Sequence, residues 1–454
     1  MKRTEILLLG AGVLLLLLTG AGLALHVPGT AALGIGWRAD AFTALQALAG
    51  AIYLGVCSLL LTAPPGKGMT RLAIVLGFAT LLRLILLVSP PFLSSDVYRY
   101  VWDGRVAAAG INPYRYIPDA PALAFLRDTA IFPHINRASY AHTIYPPTAQ
   151  LVFEAVARAG GGVMTMKAAM IGAECIALAA LLALLARAGL PAERVALYAW
   201  NPLALWAFAG NGHVDALAIA LLAVALLATA KGRHGLAGAL GGAAFAVKFL
   251  PALMLPPLWR RRRLRFAAAA IGIVALLYLP YVDVGWRVLG FLGGYAREEG
   301  LRSGTGLWPL DLFAALLHAL IGVRLPAIAP MLYLALVALL LAGGGIALAW
   351  RAAPADPREA IRAAAAGMAG LGVAGMLAIS PHYDWYFAWL AMPAVLAPSP
   401  AALFLSVAPL LLYLDPLAGR LLWPALVYVP AWSLALLPFF RPARPAAAAP
   451  SRRA

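Results

Sequence analysis

From Ile6 to Leu25 the sequence carries no charged side chain, and apolar stretches of similar length recur as far as Leu437. About 20 such residues in a row is what a helix needs to cross the hydrocarbon core of a bilayer. Of the 454 residues, 63% are apolar and 12% charged, against about 25% charged in an ordinary soluble domain. A globule of this make-up would lack the polar side chains to cover itself in water, and the mean hydropathy of +0.86 says the same. The expectation is an all-α, polytopic integral membrane protein. Soluble enzymes, nucleic-acid-binding domains and disordered scaffolds are excluded.

The net charge of +17 fits membrane topology better than a nucleic-acid partner. Lys2 and Arg3 precede the first apolar run, which is too long for a signal-peptide core and reads as an uncleaved anchor. Alternating the runs from there gathers twenty Lys and Arg on one side against only Glu5, Glu193, Asp356 and Glu359. Sixteen of the seventeen excess charges therefore fall in segments expected to be cytoplasmic, both termini included. The run RRRRLR (260–265) can also touch anionic headgroups. Cys57 and Cys175, each inside an expected span, read as small packing residues.

The alternation gives about 12–14 spans in one membrane domain, 1–440, followed by a disordered cytoplasmic tail, 441–454. The main extracytoplasmic loop is 90–146, and a second outer segment covers 283–327. Expected spans lie near 6–25, 41–62, 72–89, 163–186, 195–209, 214–230, 266–282, 328–349, 363–380, 385–398, 401–414 and 421–440, with a short hairpin turning near Lys248–Pro251. An amphipathic piece near 148–162 is too short to span. The 90–146 loop carries Asp96, Asp103, Asp119 and Asp128, five arginines, two histidines and ten aromatics. A loop this long in a compact protein is usually functional or disordered, and its aromatic content argues against disorder.

The loop opens SPPFLSSDVYRYVWDGRVAAAGINPYRYIP (89–118). On a helix, Asp96, Arg99 and Asp103 share one face, with Arg105 following. Taken alone, this is either an ion pair fixing a surface helix or a carboxylate base beside a phosphate-binding arginine. GINPY and TIYPPTAQ are turn signals that set Tyr114 and Tyr145 beside prolines, or else interfacial anchors. An ionisable group inside a span marks a functional site by default. Arg83 sits mid-span and pairs most simply with a carboxylate such as Glu174. Lys248 stands at the hairpin turn, equally able to face a phosphate or to brace the turn. His213 and Asp215 in GNGHVD, and His382 and Asp384 in SPHYDWY, fall in short outer turns. Each pair has metal-ligand spacing, but nothing completes a ligand set. Trp308 reads as an interfacial belt residue, and Asp311 and His318 have no evident partner.

The ordered series D-V-Y-R-Y, G-I-N-P-Y, Y-P-P, N-G-H-V-D-A-L, A-F-A-V-K-F-L-P and S-P-H-Y-D-W-Y, running from about 80 to 390, resembles the GT-C superfamily of membrane glycosyltransferases. Within it, the series is similar to glycosyltransferase family 87 and to bacterial polyprenol-phosphate-mannose-dependent mannosyltransferases. The resemblance implies a GT-C-like fold and transfer of a sugar, mannose first, from a polyprenyl-phosphate carrier to a glycan or lipid acceptor outside the cytoplasm, with inversion and in the plasma membrane. It puts the catalytic base at Asp96. Donor and acceptor contacts would come from Arg99, Asp103, Arg105, Tyr114, Tyr145, His213, Asp215, Lys248, His382 and Asp384. No cofactor is expected, and a divalent cation is compatible but not indicated, because the loop has a single Asp where some GT-C branches have an adjacent acidic pair. A transporter or lipid-linked-sugar flippase is the main rival, yet no inverted repeat or second broken helix is evident. An assembly scaffold for envelope synthesis is the third reading.

Overall fold

The computed structural model describes residues 3–25, 35–66, 68–92, 94–260, 262–413 and 421–440. The expected disordered tail lies outside the described residues. What is described consists of helices and turns, without a strand. The long helices are α1 (Arg3–Ala24), α2 (Ile35–Thr62) and α3 (Thr70–Leu87). After the loop helix α4 (Asp96–Ala108) and the amphipathic α5 (Pro147–Arg158) come α6 (Val163–Ala188), α7 (Asp215–Ala230) and α8 (His234–Phe245). The remainder are α9 (Arg263–Tyr278), α10 (Trp308–Ile321), α11 (Ala329–Trp350), α12 (Pro357–Ile379) and α13 (Leu422–Phe440). Helix ends follow local chemistry: α6 stops at left-handed Gly189, and Asp356 caps α12 by accepting from the Arg358 N–H ahead of Pro357.

Among the described residues, seven helices are long and apolar enough to cross a membrane. There are eight if Pro202–Gly210 and Asp215–Ala230, bent by 118°, count as one broken span. The expectation of 12–14 spans is larger than this number, and the shorter apolar helices Trp308–Ile321 and Leu422–Leu437 stand outside it. The runs near 195–209 and 385–398, and the described part of the third, 401–413, fold into short helical turns packed inside the protein, with Tyr198, Trp200, Phe208, Trp389 and Ala402 fully or almost fully buried. An apolar run suits a protein interior as well as a lipid one, so hydropathy alone does not separate the two. Trp308 is likewise no belt residue. It is 7% exposed, and its indole donates to the Leu421 carbonyl.

Helices α6 and α7 lie against each other, and each buries small residues that allow a close approach, Ala173, Ala177 and Ala180 on α6 and Ala218, Ala225 and Ala228 on α7. The expected partner of Arg83 is confirmed. Its guanidinium donates to both Glu174 carboxylate oxygens, at 2.7 and 3.2 Å, and to the Ala79 and Ala199 carbonyls. Every polar atom at that depth needs such a partner. Helix α12 is central, with 67% of its apolar window buried, whereas α11 has 11% and faces outward.

At 23 residues, α12 is about 35 Å long, which separates two ends of the molecule. At one end it turns into α11 through 351–356. At the other, Ile379 leads into Ser380–Trp385 beside the 90–146 loop. That loop is folded. Helix α4 lies against α5, with Tyr100 stacked on Phe153 at 4.6 Å. Segment 283–299 closes over it, since Asp283 accepts from Asn112 and Arg115, and Glu298 from Arg137 and Tyr140.

Candidate active site

Helix α4 begins at Asp96, so its carboxylate sits at the positive end of the helix. Oδ1 accepts from the Asn136 amide at 3.0 Å. Oδ2 lies 3.8 Å from His213 Nδ1, too far for a hydrogen bond. His213 is fully buried in the break before α7, stacked on Trp385 at 4.0 Å, and neither ring nitrogen has a hydrogen-bond partner among the described residues. Asp96 keeps a side-chain exposure of 20% and lines a polar cavity of about 180 Å³ with Arg99, Asn136, Arg137, His142 and Lys248.

One turn along α4, Arg99 Nε donates to Asp103 at 2.8 Å and Nη1 to the Ala141 carbonyl at 3.1 Å. The second Asp103 oxygen accepts from Gln150 of α5. Asp103 is thus a buried brace for Arg99 rather than part of the cavity wall. Lys248, after α8, donates to both oxygens of fully buried Asp215, at 3.0 and 2.9 Å, and lies 4.2 Å from the Tyr386 ring centre. Asp215 also accepts from the Trp389 indole. Lys248 is the seam between two spaces. It lines the polar cavity and also an apolar groove of about 210 Å³, the two sharing Ile144, Tyr145, Lys248, Tyr295 and Tyr386.

Of the expected site residues, Asp96, Arg99, Tyr145 and Lys248 meet at the cavity. Asp103, His213 and Asp215 lie directly behind it. His382 lines the groove, 3.3 Å from Glu299. Three others are elsewhere. Arg105 pairs with Asp128 on the loop surface, Tyr114 is buried and donates to the Tyr145 carbonyl, and Asp384 is buried behind Tyr383 and Trp385. Among the described residues, no three His, Cys, Asp or Glu side chains come together as a metal site.

Compared with models of known families, residues 7–260 match "Alpha-(1->6)-mannopyranosyltransferase, N-terminal domain" and residues 143–381 match "Glycosyltransferase family 87". Each match covers more than half of the chain. The chain belongs to glycosyltransferase family 87. No curated protein and no solved structure matches it.

For a family 87 glycosyltransferase the cavity holds groups that motif reading passed over. Arg137 is the chief one. It adopts φ +57, rare for a residue with a Cβ, and lines the cavity beside Asn136. Burial works against its charge, yet Glu298 and Tyr383 hold its pKa above the ordinary arginine value. Burial pushes the His142 pKa below 6.5, with Arg287 and Arg99 adding to the effect against a backbone contact at Tyr114. Tyr295 and Tyr386, joined through their hydroxyls at 3.0 Å, wall both spaces. These residues come from three distant segments, 137–142, 295 and 386, and no spacing in the sequence links them.

Proposed function

We propose that this membrane glycosyltransferase moves a mannosyl group from a polyprenyl-phosphate carrier to a hydroxyl of a glycan or lipid acceptor, with inversion at C1. The observation that carries the reading is the seam at Lys248. A polyprenyl-phosphate sugar has three unlike parts, and the site offers a place for each. The apolar groove suits the first prenyl units, the Lys248 ammonium the phosphate, and the polar cavity the sugar. Arg99 and Arg137, both on the cavity wall, supply further fixed positive charge as the phosphate departs.

Asp96 is assigned the general base. It accepts the proton of the acceptor hydroxyl while that oxygen forms its bond to C1 and the C1–O bond to phosphate breaks. General-base assistance contributes roughly 10²–10⁴-fold. Phosphate is already a good leaving group, so the scheme calls for no cofactor. The arginines at the α11–α12 turn support placing the opposite, Asp96 end outside the cytoplasm in the plasma membrane, with both termini inside. Purified protein given polyprenyl-phosphate-mannose and an acceptor extract should release sugar from the carrier. Lys248→Met should weaken donor binding about tenfold to a hundredfold, the range for a hydrogen bond to a charged group. Unchanged donor affinity in Lys248→Met would remove the phosphate from this seam.

A further inference from the structure

At the end of the molecule away from Asp96, α11 and α12 part to leave an apolar crevice of about 830 Å³. Leu348 and Leu371 wall it, and Gly344 and Gly370 keep it open. A Cβ placed on Gly370 meets nothing within 4 Å. Two arginines stand in this crevice, Arg260 and Arg351. Arg260 bridges the helices, donating from Nε to the Leu348 carbonyl at 3.2 Å and from Nη2 to the Ala363 carbonyl at 3.4 Å. Among the described residues, neither arginine has an ion-pair partner. Burial, then the charge of Arg351, depresses the Arg260 pKa below the ordinary arginine value.

The position along the membrane normal is marked by Trp350, which is 65% exposed and lies under the Arg263 guanidinium at 4.3 Å. An exposed indole at the end of a spanning helix marks the membrane–water boundary. Two mutually repelling, uncompensated guanidinium groups therefore sit at headgroup depth, where an apolar crevice opens to the acyl chains. A phosphodiester between them would neutralise both, and the guanidinium fork suits its oxygens. We infer that this crevice binds one anionic phospholipid, with its phosphate held by Arg260 and Arg351 and an acyl chain lying in the cleft kept open by Gly344 and Gly370. The α12 residues that line the crevice, Ala363 to Leu371, stand about 12–24 Å along the helix from Ile379, the end beside the Asp96 cavity, and the site rests on neither the donor nor the acceptor assigned above.

The test is native mass spectrometry of the purified full chain, loaded with phosphatidylglycerol or with phosphatidylcholine carrying the same acyl chains. One phosphatidylglycerol should be retained under conditions that strip phosphatidylcholine. Arg351→Gln should lower retention about fivefold, the worth of one basic residue near an anionic lipid. Gly370→Leu keeps every charge, fills the cleft, and should lower retention as well. Arg260→Gln also removes two bonds between helices, so the other two variants carry the test. Equal retention of phosphatidylglycerol by the parent and by both variants overturns the inference. Displacement of the lipid by millimolar inorganic phosphate also overturns it, because the site would then be one for free anions. Sugar transfer is not the readout, so failure here leaves the proposed reaction standing.

Discussion

Arg99 and Asp103 form an ion pair almost sealed from solvent, with side-chain exposures of 6% and 2%. Removing one member of such a pair leaves a buried charge uncompensated, at a cost of about 3–5 kcal/mol. Asp103→Asn should therefore lower thermal stability by about that amount, although Asp103 lies behind the cavity wall. A melting temperature like the parent's would show the pair to be dispensable. His142 makes a different prediction. Its folded pKa lies below the ordinary 6.5, so below pH 6.5 the unfolded chain takes up a proton that the folded chain refuses. The stability associated with neutral His142 is complete above pH 6.5 and is lost as pH falls toward the folded pKa. His142→Gln should flatten the acid limb of the stability–pH curve, and identical limbs would contradict the assignment. Sequence spacing indicated Arg99 and Asp103 because i,i+4 neighbours must meet on a helix. It gave no sign of Arg137, which reaches the cavity through an unusual backbone angle and a partner, Glu298, 161 positions away.

At the scale of elements, the site depends on how closely α4 lies on α5. A Cβ added at Gly104 would stand 2.2 Å from the Phe153 carbonyl oxygen of α5. Gly→Ala in an open helix stabilises by up to about 1 kcal/mol. Here the clash reverses the sign, and Gly104→Ala should cost about 1–3 kcal/mol in a melting experiment. A stabilised variant would mean that the two helices are not in contact. The amphipathic α5, the hairpin turn at Lys248 and the long helices α6, α11 and α12 were legible from periodicity and hydropathy. The number of spans was not. Apolar residues 195–209 and 385–398 are buried by protein rather than by lipid, and the physical demand on the side chains is the same in both settings. The break before α7 holds His213 and Asp215 behind the cavity, with its backbone satisfied by the turn itself, since the Asn211, Gly212 and His213 N–H groups donate to the Trp206, Phe208 and Ala207 carbonyls.

For the molecule as a whole, the long helices form a scaffold with the 90–146 loop and segment 283–299 folded over one end. Polar cavity and apolar groove meet there at Lys248. Membership of glycosyltransferase family 87 was legible from the order of six short motifs, each weak alone. The assignment of chemistry turns on Asp96. Asp96→Asn keeps the size of the side chain and its capacity to bond Asn136, but removes the charge that accepts a proton. The decisive measurement is sugar transfer by the purified Asp96→Asn protein, with donor binding measured on the same preparation. The account predicts donor binding within about twofold of the parent and turnover reduced at least about 10²-fold. Turnover equal to the parent's, with donor bound equally well, would contradict it.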